Sequence, residues 1–241
     1  MKSYKARGIV LHTLKYGDSS MVVQMLTDTH GRQSYMVQGV RSTRGRGSKM
    51  ALLQPLFAVE YEGLESPRME LHRLRELHSG ILLRTLPYDV RKSTIALFIA
   101  EVLYRLIEER EANEPLFEFV WSSIEALDAM QEGVANFHLW FLANLCGFLG
   151  FHPGNNYHAH DYFDMREGLF SSIMPLHDNA LTPEYAALFA DLLDYDVASL
   201  ASLTLNRQQR VEMLSRLVEY YSLHLDNISR VRSIGILQEV F

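Results

Sequence analysis

The residues of this sequence best suited to chemistry are five cations: Arg32, Arg41, Arg44, Arg46 and Lys49. No Asp or Glu occurs from Thr29 to Val59, and four of the five cations fall within the nine positions 41–49. Ser42, Thr43, Gly45, Gly47 and Ser48 are interleaved with them. Side chains this small build no core, but they let backbone and guanidinium groups approach phosphate oxygens together. Tyr16, Tyr35, Phe57 and Tyr61 lie close by in sequence as candidate platforms for unpaired bases. For each ring a place in the core is the simpler reading. For the cations the alternative is a solvated hairpin tip.

Other chemistries find less support. Gly39 and Gly45 are too far apart for a phosphate-binding P-loop, and Gly45 is followed by Arg46 rather than Lys and Ser or Thr. His152, His158, His160 and His177, with Asp161, sit in one irregular stretch and offer nitrogen and oxygen donors, so a histidine-ligated metal hydrolase is one alternative. Their spacing matches no established ligand pattern. Cys146 is the only cysteine, which excludes an intramolecular disulfide and a thiolate-rich metal site. It lies beside Leu145 and Phe148, where a thiol is a small buried hydrophobe. No Gly-x-Ser-x-Gly elbow occurs. The expectation is a protein without catalytic residues, cofactor or resident metal.

The elements that must position the cations change character along the chain. Residues 1–80 hold 12 Lys and Arg against 7 Asp and Glu, a net +5; the remainder holds 11 against 22, a net −11. The hydrophobic pattern changes at the same place, which predicts a boundary between a domain at 1–80 and another at 85–241. Before it, short β-branched and aromatic runs at 8–16, 21–27, 33–40 and 52–62 are separated by turn residues and read as strands. Residues 69–77 are ambiguous, because Leu71, Leu74 and Leu77 have helical spacing while the position after Gly63-Leu64-Glu65-Ser66-Pro67 suits a fifth strand. Five short strands leave exposed edges unless they close, so an OB-like barrel is the economical arrangement.

After residue 89 the period is helical. Ile95, Phe98, Ile99, Val102, Leu103, Leu106 and Ile107 predict a helix over 91–110. Asn113 with Pro115 starts another, running to 131. Residues 134–149 are apolar nearly all round and predict a central helix; 182–194 and 207–225 continue the pattern, and the apolar tail 231–241 is expected to dock. Between 151 and 181 the period disappears over a stretch longer than an ordinary connection. The fold class is therefore α+β: a five-stranded barrel, then a helical bundle with an irregular insert. At 241 residues, 48% hydrophobic and 22% charged, the chain is globular rather than disordered. No signal peptide or membrane span is expected, and the single cysteine suits a reducing cytosol.

Several pieces of the sequence resemble the RecO family of bacterial recombination mediators. They are Gly8-Ile9-Val10-Leu11, Tyr16-Gly17-Asp18-Ser19-Ser20, Leu26-Thr27, Gly31, Gln38-Gly39-Val40-Arg41 and Leu53-Gln54-Pro55-Leu56, followed by Leu149-Gly150-Phe151-His152-Pro153 at the end of the central helix. The resemblance implies an N-terminal OB fold, a C-terminal helical domain and no enzymatic turnover. It implies binding of single- and double-stranded DNA, annealing of complementary strands, and cooperation with RecR in loading RecA onto DNA coated by single-stranded DNA-binding protein. It also implies a cytoplasmic, nucleoid-associated place in a bacterium and capture of the single-stranded DNA-binding protein's C-terminal tail by the helical domain.

Carried over residue by residue, the family's basic barrel segment falls on Arg32 and on Arg41, Arg44, Arg46 and Lys49. Arg207, Arg210 and Arg216, with Arg230 and Arg232 beyond them, are secondary candidates for DNA or the tail peptide; a salted helix face explains them equally well. Many relatives carry a four-cysteine zinc module after the Leu-Gly-Phe-x-Pro element. Here residues 155–179 contain no cysteine, so a metal-free subdomain held by Tyr157, Tyr162, Phe163 and Phe170 is expected in its place. An OB-fold RNA-binding or scaffold protein without a recombination role is the rival class.

Overall fold

The structure is a computed structural model that describes residues 3–40, 49–64, 71–108 and 110–241. By packing, the chain divides into a unit at 1–129 and a unit at 130–241.

The first unit is built on a closed barrel of β1 (Ser3–Tyr16), β2 (Ser20–Thr27), β3 (Gly31–Val37), β4 (Ala58–Leu64) and β5 (Leu71–Ser79). The strand order is β1-β2-β3-β5-β4, with β4 closing back onto β1. Only the β3–β5 pair is parallel. Gly17 and Gly31 take positive φ (65° and 60°) in the two turns that join β1, β2 and β3, a conformation that costs glycine little. The strand period of two sends Val10, Val23, Met25, Tyr35, Val37, Val59 and Tyr61 inward. Within that apolar interior the hydroxyls of Tyr4, Tyr35 and Tyr61 form a chain, 2.9 and 2.7 Å apart. Burial raises the pKa of Tyr35 and of Tyr61. Both stay protonated and join the three strands by directional bonds.

Two strand expectations are settled. The ambiguous segment is a strand, and the reason for its helical look is a register shift: Glu62 faces Glu76 while Gly63 faces Leu74, which leaves Arg75 as a bulge. That extra residue turns both Leu74 and Leu77 inward although they are three apart. The predicted fourth strand is shorter than 52–62. Residues Lys49–Leu53 form a 3-10 turn, Leu56 takes φ 64°, and pairing starts only at Ala58. Leu53, at the end of the 3-10 turn, and Leu56, beyond it, are both buried without belonging to a ladder.

Two helices pack with the barrel in this unit, α1 (Val90–Leu106) and α2 (Glu114–Ala129). Asn113 Oδ1 accepts the Leu116 amide at 3.1 Å, starting α2 as expected. Arg7 fastens α2: its guanidinium pairs with Asp28 at 3.2 Å and with Glu118, and lies 5.0 and 5.1 Å from the rings of Phe117 and Trp121. Helix α1 stops at Leu106, short of the expected 110, where Ile107 is extended.

The second unit centres on α3 (Phe137–Phe148), buried on nearly every face, with α4 (Pro183–Asp194), α5 (Arg207–His224) and α6 (Ser233–Val240). A capping box of Asn206 and Gln209 starts α5. The insert contains a small sheet of β6 (Tyr162–Asp164), β7 (Leu169–Ser171) and β8 (Ala180–Leu181) in the order β7-β6-β8. Phe163 lies 4.8 Å from Phe170, 4.8 Å from Phe189 and 5.4 Å from Tyr220, while Tyr157 meets Phe170 at 5.2 Å. An aromatic cluster thus ties the insert to α4 and α5.

Candidate nucleic-acid interface

The basic segment joins β3 to β4. Its start is held by Val40, 1% exposed, whose amide donates to Ser19 O at 3.0 Å; its end is held by buried Leu53. Lys49 opens the 3-10 turn and is half-buried. Arg41, Arg44 and Arg46 lie outside the described residues.

Arg32 is placed differently from the expectation drawn from charge alone. Its Nη1 donates to Tyr104 O at 2.8 Å and Ile107 O at 2.9 Å, and its Nη2 donates to Gln24 Oε1 at 2.8 Å. The guanidinium also lies 4.5 Å from the Tyr104 ring. The two carbonyls belong to the end of α1, where backbone acceptors lack helical partners and carry the negative end of the helix dipole. Arg32 thus holds the C-terminus of α1 against the outside of β3. Around it Gln24, Gln33, Ser34, Glu108 and Arg110 line a polar cleft of about 410 Å³.

Of the candidate stacking rings, Tyr35 and Tyr61 belong to the barrel interior. Phe57 is half-buried beside an apolar cavity of about 490 Å³ that is also lined by Pro55, Leu86, Pro87 and Leu97. Tyr16, 56% exposed at the tip of the β1–β2 hairpin, has an accessible ring, and Leu14 beside it is 49% exposed.

The histidines are dispersed. His177 Nε2 lies 3.2 Å from Asp164 Oδ2, His158 Nδ1 lies 3.6 Å from Asp161 Oδ2, and His152 Nδ1 meets Pro153 O at 2.5 Å. His160 takes φ 72° in a turn. Among the described residues no three His, Cys, Asp or Glu side chains come together as a metal site would require. Cys146 is fully buried, and burial pushes its thiol up to about 12, so the reactive thiolate is disfavoured.

Arg207, Arg210 and Arg216 each have a protein partner. Arg216 pairs with Glu212 and Glu219, both at 2.9 Å. Arg207 Nη2 donates to Gln238 O at 2.9 Å, and Arg210 Nη2 donates to Phe241 O at 3.3 Å.

Sequence reasoning missed one buried ionic group. Asp128, 8% exposed on α2, accepts amide bonds from Arg84, Thr85 and Leu86, while Lys92 Nζ donates to Asp128 O at 2.7 Å. A signal was present: Asp128 follows Ile124 by four positions, so it stands on the apolar stripe of its helix, where a lone carboxylate demands donors.

Comparison with known proteins identifies the family. Residues 1–81 match the family described as Recombination protein O N terminal, and residues 87–233 match Recombination protein O C terminal. The chain is 41% identical over 239 residues to the DNA repair protein RecO of Bacteroides fragilis and 40% identical over 238 residues to that of Phocaeicola vulgatus. It is 31% identical over 240 residues to the protein of the same name from Porphyromonas gingivalis; all three alignments cover 98% of each chain. A closed OB-like barrel followed by helices, with these relatives, defines a DNA repair and recombination protein, a mediator and not an enzyme. The chain belongs to the RecO family. Among the described residues no helix is long and apolar enough to cross a membrane.

Proposed function

We propose that this chain is a cytoplasmic, nucleoid-associated recombination mediator that binds single- and double-stranded DNA and anneals complementary strands. With RecR it helps load RecA onto DNA coated by single-stranded DNA-binding protein, and its helical part captures that protein's C-terminal tail. The nucleic-acid-binding part lies in 1–80 and the helical part in 85–241. The observation that carries the DNA reading is the acid-free basic segment between β3 and β4 of a closed barrel. The segment is flanked by Val40 and Leu53, both buried. Arg41, Arg44, Arg46 and Lys49 are the phosphate contacts in this reading, and Arg32 acts by positioning α1.

The test is a salt titration of single-strand binding. Each phosphate contact contributes roughly 0.7 to the slope of log K against log salt. Replacing the four residues by Ala is expected to weaken binding and to lower the slope by about 3. Unchanged affinity and slope in a folded variant would place the DNA elsewhere. Annealing of complementary strands in the presence of the cognate single-stranded DNA-binding protein separates this reading from an RNA-binding or scaffold protein, which would not accelerate it.

A further inference from the structure

The first hairpin carries an apolar surface that the barrel interior does not use. Leu14 pairs with Val22 and Val22 with Met36, so these side chains form a row on the outer face of β1, β2 and β3, opposite to the inward Val23 and Tyr35. Val22 and Met36 are half-buried. Tyr16 stands two positions beyond Leu14 on the same face of β1, paired with Ser20. The row on the other side of Leu14 is covered, since His12 stacks on Tyr104 of α1 with centroids 4.6 Å apart and planes at 29°. Leu14 and Tyr16 are 49% and 56% exposed.

Three observations decide what packs on this surface. First, it adjoins the start of the basic segment: the Val40 amide donates to Ser19 O in the hairpin turn at 3.0 Å, and Arg41 is the next residue of the chain. Second, an exposed phenol ring with an aliphatic neighbour offers a face to a flat group of low charge. Third, Asp18 is exposed in the same turn. Its carboxylate disfavours phosphate at the tip itself, so a polyanion held by the cations must present something other than its backbone to Tyr16. In a single strand that group is the base, whose face is free to stack on an aromatic ring. A duplex keeps its base faces stacked on one another and offers none.

We propose that Tyr16, with Leu14 beside it, receives an unpaired base and is the residue that makes the barrel discriminate single strands from duplex. The assignment rests on the DNA reading given above and adds a division of labour to it. The basic segment supplies the salt-dependent affinity, which single strand and duplex share. The hairpin tip supplies a salt-independent increment that only an unstacked base can collect.

The test uses the full chain, a labelled oligothymidine and a duplex of the same length, each titrated over a range of salt. Tyr16→Ala is expected to weaken single-strand binding by about 5- to 150-fold, the span of one lost stacked base, and to leave the slope against log salt unchanged. Duplex binding is expected to stay the same. Tyr16→Phe is expected to bind as the unaltered chain does, and Tyr16→Leu to remain close to Tyr16→Ala. Unchanged single-strand affinity in Tyr16→Ala, an equal loss on duplex, or full rescue by leucine overturns the proposal; the first of these leaves the surface to a protein partner. An abasic strand on the unaltered chain makes the comparison without any substitution and decides if a variant does not fold. It is expected to bind at least about fivefold more weakly than oligothymidine with the same slope, and equal affinity overturns the proposal. The two readings fail separately. If replacing Arg41, Arg44, Arg46 and Lys49 abolishes binding while Tyr16→Ala changes nothing, the segment stands and the ring does not; a chain that binds no strand removes both.

Discussion

Removing the Asp128 carboxylate is expected to cost more stability than any surface change in the first unit. One oxygen accepts the Thr85 amide at 2.8 Å and the Leu86 amide at 2.7 Å, and the Arg84 amide reaches the other at 2.9 Å. Hydrogen bonds to a charged acceptor contribute about 1.5–3 kcal/mol each, and donors left buried without partners carry a desolvation cost. Asp128→Ala also removes the larger of the two carboxylate charges, Asp128 and Asp89, that favour the ammonium of Lys92, a residue 2% exposed. The contributions overlap, so the expected loss is about 3–5 kcal/mol, the range found on breaking a buried ion pair. Asp128→Asn keeps one acceptor oxygen and is expected to lose about half as much.

Urea unfolding of the full chain reads the loss as a fall of about 2 M in the midpoint of the first unit, with its m-value unchanged. Hydrogen exchange of the Arg84, Thr85 and Leu86 amides locates it. The pH dependence gives an independent check. Burial pushes the Asp128 pKa up, but the three amides and Lys92 outweigh it and the folded value lies below the usual 3.8. Its contribution is therefore complete above about pH 4 and is lost as pH falls through the folded value. The gap between wild type and Asp128→Asn must narrow in acid. A shift below about 0.3 M for Asp128→Ala, or a gap independent of pH, refutes the reasoning.

Tyr35→Phe removes the hydroxyl between Tyr4 and Tyr61 without opening a cavity, and urea unfolding is expected to show a loss of about 1–3 kcal/mol. Arg32→Ala is expected to destabilise the first unit by about 1–3 kcal/mol through the lost bonds to Tyr104 O and Ile107 O, and to leave the salt slope of DNA binding unchanged. A slope reduced by one contact would give Arg32 a phosphate. Elemental analysis of protein purified without added metal is expected to find less than one zinc per chain, and chelation is expected to leave the melting temperature in place. A stoichiometric zinc lost with stability would return His152, His158, His160 and His177 to the role of ligands.

The barrel and the helices were legible because their cues are local. Turn residues cut the first 80 residues into strands, and the 3.6 period marks every long helix. What escaped depends on distant partners. In β5 the bulge at Arg75 produced a spacing of three that belongs to helices, and only the ladder with β4 resolves it. Arg32 stands in an acid-free run and reads as a ligand for phosphate, yet two of the acceptors it finds are carbonyls more than 70 positions away. The same limit applies to Arg207 and Arg210, each of which has a main-chain partner 31 residues on that no side-chain pattern announces. Cations are easy to find in a sequence; what they hold is not.

The fastening of α2 by Arg7 bears on where this chain can be cut. Charge and hydrophobic period change near residue 80, but the load passes across that point: Arg7 reaches Glu118, Arg32 reaches the end of α1, and a Cβ on Gly80 would lie 2.5 Å from Trp121. A fragment ending at 80 loses Glu118 from Arg7, the Tyr104 and Ile107 carbonyls from Arg32, and the Trp121 ring beside Gly80. A barrel cut at 80 is therefore expected to be less stable than one cut at 129. The smallest piece that keeps its own walls runs to Ala129, and exchange with a relative at that point preserves the fastenings that exchange at 80 would sever.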